Sequence, residues 1–538
     1  MKEKHNLEEN MLTFSIIFKT SRKIMIEVED FGIWTTDRPY EVYVNGEKYL
    51  ESDRAVQTIP NLKPDTEYEL YLKSGEQVSE SVTVRTDYEF VTLNVKRFQA
   101  VGDGVHDDTA AIQAAIMSCP KMGRVYIPEG TYKVTSLFLK SDICIDIDEK
   151  AVLSGTTIRE KIPVLPGMIQ SYDEKSDYNL GTWEGNPLDC FCSLFTGINV
   201  SNVVITGGGV LDGNASVENW WEDDRAKIIA FRPRMIFLNH CENITVHGLT
   251  VQNSPAWNLH PYFSKNIRFL GLTILNPWDS PNTDGMDPES VDGLEVVGVH
   301  FSLGDDCIAI KSGKYYMGHT YKKPSQNLEI RQCFMQNGHG AVSLGSEMAG
   351  GVRNLHASKC IFDHTDRGLR IKTRRGRGKD ATIEGICFED IYMDHVRTPF
   401  VVNSFYNCCD PDAHSDYVKC KTPLPVDERT PAVNHLVFKN IECHNTHAAG
   451  AFLYGLPEQK IDRIEMKNIH IDYAEDPIPM EPAMMDDLGK KAKMGIYVNN
   501  AKELVVDQVT VGGNEGEAFD FHNIESLIVD GENRGSQV

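Results

Sequence analysis

An all-β chain is predicted, a long solenoid of stacked strands behind a small β-sandwich, and two patterns predict it. One string recurs along most of the chain: Asn243-Ile-Thr-Val-His-Gly-Leu-Thr-Val, Asn266-Ile-Arg-Phe-Leu-Gly-Leu-Thr-Ile, Asn327-Leu-Glu-Ile-Arg-Gln-Cys-Phe-Met and Asn354-Leu-His-Ala-Ser-Lys-Cys-Ile-Phe. The closest copies begin 23 residues apart (243 to 266) and 27 apart (327 to 354), with no helical pattern between them. Each turn of such a coil covers its neighbour's apolar edge. The second pattern is confined to the first 88 residues, where short alternating strands replace the repeat.

In residues 1–88, Tyr68, Leu70 and Leu72 alternate with polar residues, as do Val82 and Val84, and Asn45-Gly46 supplies a tight hairpin turn. Short alternating strands in so few residues fit a β-sandwich. Residues 89–538 are assigned to the solenoid. It opens with Phe98-Gln-Ala-Val-Gly-Asp-Gly-Val-His-Asp-Asp-Thr-Ala-Ala-Ile, in which Asp108 or Thr109 can cap a helix whose Ala111, Ile112, Ala115 and Ile116 follow a helical period. The glycines there lack the Lys-Ser/Thr of a phosphate loop. Ile464-Glu-Met-Lys-Asn-Ile-His-Ile and Leu504-Val-Val-Asp-Gln-Val-Thr-Val extend the repeat, and Cys333, Cys360 and Cys387, 27 apart, are expected to form one internal stacked column rather than metal ligands.

Chemistry concentrates in four strings. Asn282-Thr283-Asp284-Gly285 and Gly304-Asp305-Asp306-Cys307 carry three carboxylates; Gly338-His339-Gly340 adds a ring and Arg370-Ile371-Lys372 two cations. Equivalent positions on neighbouring turns lie roughly 4.8 Å apart. The spacings of 21, 33 and 31 residues therefore put the strings on successive rungs of one groove, with Asp284 and Asp305 expected at roughly 6.5–9.5 Å, room for a water between them. Asp306 shares parity with apolar Ile308 and Ile310, so both aspartates reach the groove only if the chain bends between Gly304 and Cys307. Adjacent like charges raise the proton affinity of one of them, the condition a general acid needs. Glycines beside His339 allow close approach of backbone and substrate. Arg370 and Lys372 share a strand face, Arg able to grip a carboxylate with two donors and Lys with a point charge. Lys311 shares parity with Asp305 and is a further candidate cation. The bland readings are an acidic turn or calcium cluster for the aspartates, a solvated loop for Arg374, Arg375 and Arg377, and a zinc site for Cys408, Cys409, His414 and Cys420, whose irregular spacing argues against it.

In that order and spacing the four strings resemble the polygalacturonases of glycoside hydrolase family 28, from about Tyr88 to the C-terminus. The resemblance implies a right-handed parallel β-helix with the helix near Thr109 plugging one end. It also implies inverting hydrolysis of α-1,4-galacturonosyl bonds without cofactor or metal. Asp305 would be the acid, Asp284 and Asp306 would hold the nucleophilic water, and His339 would tune the acid. Arg370, Lys372, Tyr406, Lys311 and Asn282 would bind substrate. Asn276-Pro-Trp-Asp-Ser-Pro, Gly345-Ser-Glu-Met-Ala-Gly-Gly and Lys372-Thr-Arg-Arg-Gly-Arg-Gly resemble bacterial exo-acting members, so trimming from a chain end is expected, with Asp173–Cys192 and Asn407–Arg429 as the wall. The run Asn61-Leu-Lys-Pro-Asp-Thr-Glu-Tyr-Glu-Leu is similar to a fibronectin type III module. An endo-polygalacturonase or a rhamnogalacturonan or xylogalacturonan hydrolase is the nearest alternative; a calcium-dependent pectate lyase and a non-catalytic carbohydrate-binding solenoid are more distant ones.

A net charge of −24 over 538 residues argues against nucleic acid as partner and sits awkwardly with a polyanionic substrate. The conflict is local: Arg367, Arg370, Lys372, Arg374, Arg375, Arg377 and Lys379 crowd a stretch with no acidic residue. No apolar stretch approaches the ~20 residues of a membrane span. The N-terminus lacks a leader pattern, its apolar run extending only from Met11 to Phe18, and thirteen cysteines follow no compact framework. A cytoplasmic protein with reduced thiols is expected, or a secreted one if a leader has been removed.

Overall fold

The computed structural model describes residues 12–29, 32–170, 177–223, 226–408 and 410–537. Met11, at the head of the apolar run, the 173–176 part of the expected wall, and Cys409 lie outside the described residues.

Residues 14–85 form two antiparallel sheets. Phe14–Lys19, Ile24–Val28 and Val56–Ile59 make one; Thr35–Val44, Glu47–Arg54, Glu67–Ser74, Gln77–Val78 and Val82–Arg85 make the other. Asn45 and Gly46 both take positive φ (52° and 81°) between Val44 and Glu47, the geometry that matches the right-handed twist of a two-residue hairpin. The alternation read at Tyr68, Leu70 and Leu72 is the buried face of its strand, packed with Ile24, Ile26, Tyr40 and Val42.

From Thr92 onward the chain winds as a right-handed parallel β-helix with three strand faces per turn. Its register is held by one aliphatic ladder on the first face: Ile244, Ile267, Leu294, Leu328, Leu355, Ile386, Leu436, Ile464, Leu504 and Leu527 pair in succession and are all buried. The asparagine that begins each copy of the repeat has a physical reason. Asn202, Asn243, Asn266, Asn327 and Asn354 turn the chain at φ between 52° and 58°. The side-chain amides stack, Asn243 Nδ2 donating to Asn202 Oδ1 (3.1 Å) and Asn266 Nδ2 to Asn243 Oδ1 (3.1 Å). Asparagine tolerates this left-handed conformation better than other side chains do.

Turn lengths vary while the ladder does not. The turn from Leu294 to Leu328 is longer than its neighbours, and those from Ile386 to Leu436 and Ile464 to Leu504 are longer still; the surplus is extruded beside the third face. This variation corrects the cysteine column. Cys333 and Cys360 are equivalent and fully buried, but the next turn is longer than 27 residues, so Cys387 pairs with His356 and is half-buried.

The helix Thr109–Ser118 buries Ile112, Ala115 and Ile116 against the first rung as expected, but Asp108 makes no side-chain cap. Its carboxylate accepts from Val101 N and Gly102 N (2.6 and 2.9 Å), fixing the preceding glycine turn instead.

The sandwich docks where the first face turns into the second. Phe18 and Met25 meet Leu270 and Val297. Gly298 (φ 65°) leaves room for Val56, which a Cβ there would approach to 3.1 Å. Around this patch Arg331 pairs with Glu27 (2.9 Å), and Asp146 receives both Lys23 (2.7 Å) and Arg124 (2.8 Å). All three side chains of that triad are nearly buried, so removing the shared carboxylate strands two cations. Asp146→Asn is expected to cost about 3–5 kcal/mol in chemical denaturation; a loss below about 1 kcal/mol would mean that water screens the triad.

Candidate active site

On the third face, strand alternation sends Met286, Ile308, Val342 and Leu369 into the core. The intervening positions form two outward columns in register. One contains His260, Asp287, Ala309, Ser343 and Arg370; the other contains Tyr262, Glu289, Lys311, Gly345 and Lys372. The four strings of the sequence lie at the upstream ends of these strands or on them.

Asp284 and Asp306 occupy equivalent positions on adjacent rungs, since Met286 pairs with Ile308 and Gly285 N donates to Asp306 O (3.0 Å). The chain bends over Gly304–Cys307 as alternation required, and Asp306 N donates to Asp305 Oδ1 (2.9 Å). Glycines are needed on either side. A Cβ on Gly285 would sit 2.4 Å from Cys307 O, and one on Gly304 2.4 Å from Ser280 O. Each of the three aspartates offers an oxygen within 4.8 Å of the others, tighter than the expected 6.5–9.5 Å. Asp284 and Asp306 stack directly, and the bend at Gly304–Cys307 brings Asp305 to the same site.

The cations are deployed around Asp306. Arg370 Nη1 donates to its Oδ1 (2.9 Å) and Lys372 Nζ to its Oδ2 (2.7 Å), all three side chains being buried. Burial raises the proton affinity of Asp306, but Lys372 and Arg370 outweigh it and hold this carboxylate well below the usual range. Asp284 has the reverse balance. Burial, then Asp287 and Asp305, push it well above the usual carboxylate value. Asp305 is the most open of the three, with a fifth of its side chain exposed. Burial pushes it up, yet the hydrogen bond and charge of His339 (Nδ1 to Oδ1, 3.2 Å) bring it below its ordinary value. Close like charges do raise one proton affinity, as the sequence suggested, but on Asp284 rather than on Asp305. His339 is raised in return, first by that hydrogen bond. Gly340 keeps the floor narrow: a Cβ there would fall 2.5 Å from Ser343 Oγ and 2.8 Å from Asp306 Oδ1.

Other expected residues surround this centre. Asn282 accepts from Arg232 Nη2 (2.6 Å) at the rim. Tyr406 is buried with Lys372 Nζ 5.9 Å from its ring centre. Lys311, expected as an open cation, is enclosed beneath the groove, paired with Glu347 (3.0 Å) and Asp287 (3.5 Å). The solvated-loop reading of the basic run also fails. Arg374 binds Asp410 and Asp412, Arg377 binds Asp410, and Arg375 binds Glu458, acids that arrive from other turns.

Sequence reading missed a second acidic layer. Asp287 and Glu289 follow Asp284 and alternate at period two with each other, a signal available in Asp284-Gly-Met-Asp-Pro-Glu. Both are fully buried; burial pushes Glu289 up to about 7, and its Oε2 lies 3.1 Å from His260 Nε2. It also missed the segment 474–493, which leaves the strand ending at Tyr473 and reaches back three rungs. Along it Glu481 O and Met484 O accept from Arg367 and Asn403 (2.7 Å each), and Met484 Sδ lies 2.8 Å from Arg370 Nη2.

The family described as Glycosyl hydrolases family 28 matches residues 121–482. Among similar proteins, a "Probable polygalacturonase" of Vitis vinifera is 31% identical over 385 residues, 70% of this chain and 73% of that one. An "Exo-poly-alpha-D-galacturonosidase" of Dickeya chrysanthemi is 25% identical over 422 residues, 68% and 66% of the two chains. The solved family 28 exopolygalacturonase of Yersinia enterocolitica superposes with a TM-score of 0.72 at 20% identity, over 98% of this chain and 99% of its own.

His339→Gln removes the hydrogen bond and charge that lower Asp305, so the proton affinity of Asp305 should rise. If activity needs Asp305 protonated, the alkaline limb of the pH profile of kcat/KM moves to higher pH even as turnover falls. A limb that stays in place would show that His339 does not govern this proton.

Proposed function

The chain belongs to glycosyl hydrolase family 28 and hydrolyses galacturonan, and from that premise we propose that it cuts α-1,4-galacturonosyl bonds with inversion, one unit or two at a time from a chain end. The observation that carries the chemistry is the carboxylate trio with its unequal environments. Asp305, the most open, is the acid that protonates the leaving oxygen. Asp306, kept ionised by Arg370 and Lys372, orients the water, and Asp284, with its raised affinity for a proton, takes the water's proton. Each turnover then carries one proton from Asp305 to Asp284. Return of that proton across a gap of less than 4.8 Å resets the site. Arg370 and Lys372 have donors beyond those given to Asp306, and these receive the substrate carboxylate at the scissile unit. His339 tunes Asp305, and Tyr406, Asn282 and the enclosed Lys311 shape and charge the subsites around it.

End-wise action is supported by what stands around the groove. The segment 474–493 lies over the rungs that follow the catalytic ones and touches Arg370 itself. On the flank, Lys314 joins the other two segments, Nζ reaching Asp410 (3.0 Å) and Glu184 (3.7 Å), while its backbone N donates to Gly185 O (3.0 Å). A groove closed at one end binds a chain terminus on several faces.

Asp305→Asn should lower turnover by about 10²–10⁴ with the fold intact; near-wild-type rate in a folded variant would remove Asp305 from the mechanism. With polygalacturonate, viscosity should fall slowly while reducing ends accumulate as mono- or digalacturonate. An early ladder of intermediate oligomers would leave the hydrolase standing and sink the end-wise reading.

A further inference from the structure

Away from the groove, two strands near the C-terminal end of the coil present a square of metal-type ligands. Glu442 and His444 alternate outward on His435–Thr446; His470 and Asp472 do so on the next rung, Ile461–Tyr473, with Glu442 beside His470 and His444 beside Asp472. One donor atom each from His444, His470 and Asp472 lies within 4.8 Å of the other two. We propose that His444, His470 and Asp472 bind a divalent transition metal of the zinc class that ties the two rungs together.

The geometry favours this over a plain ion pair. In a tetrahedral shell with metal–ligand bonds of about 2.0–2.1 Å, neighbouring donors are about 3.3–3.4 Å apart. His470 Nε2 to Asp472 Oδ2 measures 3.6 Å. That is long for a hydrogen bond and close to a shell edge. His444 Nδ1 to Asp472 Oδ2, at 2.6 Å, needs only a small ring rotation to widen.

Groups outside the square orient it, as outer partners do in metal centres. Thr510 Oγ1 bonds His470 Nδ1 (2.8 Å), which turns Nε2 toward Asp472. Asn445 N donates to Asp472 Oδ1 (2.8 Å), which leaves Oδ2 toward the histidines. Two imidazoles with one carboxylate suit zinc, nickel or copper rather than calcium or magnesium, which want oxygen throughout. The ligands are half-exposed, so water completes the shell, and all of them stand on a different face from the catalytic columns. The bound ion would stabilise the folded C-terminal rungs without entering the reaction.

The test uses the full chain treated with chelator and then titrated with zinc chloride, read by calorimetric stoichiometry and by the thermal unfolding midpoint. Zinc should bind and raise the midpoint, calcium should do neither, and His470→Ala and Asp472→Asn should each lose one zinc equivalent while galacturonan hydrolysis is unchanged. Thr510→Val, which keeps every ligand, should bind about 10–100-fold more weakly. Absence of zinc binding, or full stoichiometry retained in both folded ligand variants, would overturn the proposal, the latter by assigning the zinc to other groups.

Discussion

Everything in this molecule that does chemistry depends on the register of parallel rungs. Backbone pairing brings strands to a spacing of roughly 4.8 Å whatever the length of chain between them. Residues as far apart as 284, 306, 339 and 370 thereby come to touch one another. The aliphatic ladder from Ile244 to Leu527 enforces that pairing, because a slip of one residue would turn every core side chain toward water. The same stacking compresses the three carboxylates into a space tighter than two independent loops would choose, and the electrostatic consequences follow. One carboxylate is held down by cations, one is pushed up by burial and its acidic neighbours, and one is left to respond to His339.

Much of this was legible in the sequence because the signals are local. The Asn at the head of each repeat is a backbone-conformation requirement, the Asn45-Gly46 turn is another, and Gly285, Gly304 and Gly338 are demanded by backbone oxygens less than 2.5 Å from where a Cβ would stand. The bend that brings Asp305 and Asp306 to one groove could be argued from parity alone. What stayed hidden was set by distant chain. The sequence shows seven cations with no acid between them, but not that Asp410, Asp412 and Glu458 come from other turns to neutralise three of them, nor that Asp306 engages Arg370 and Lys372. The cysteine spacing failed for the same reason: a constant 27 in sequence is a constant position in space only while every turn has that length.

The overall acidity of the chain and the cationic floor of its groove do not conflict. Most of the basic run is consumed internally, buried and paired, and so contributes rigidity rather than field. What remains directed at the groove is Arg370 and Lys372, whose charge is shared with a single buried aspartate. A polyanion approaching this chain of net negative charge meets a small attractive interior.

The unequal turn lengths have an evolutionary reading. The segment 474–493 is inserted between Ile464 and Leu504, whose pairing is unaffected by how much chain lies between them. It can lengthen, shorten or be exchanged without moving Asp284, Asp305 or Asp306 by one register position. The wall beside the groove and the bond-breaking residues are therefore set by separate parts of the chain, the first by an insertion and the second by the paired coil beneath it.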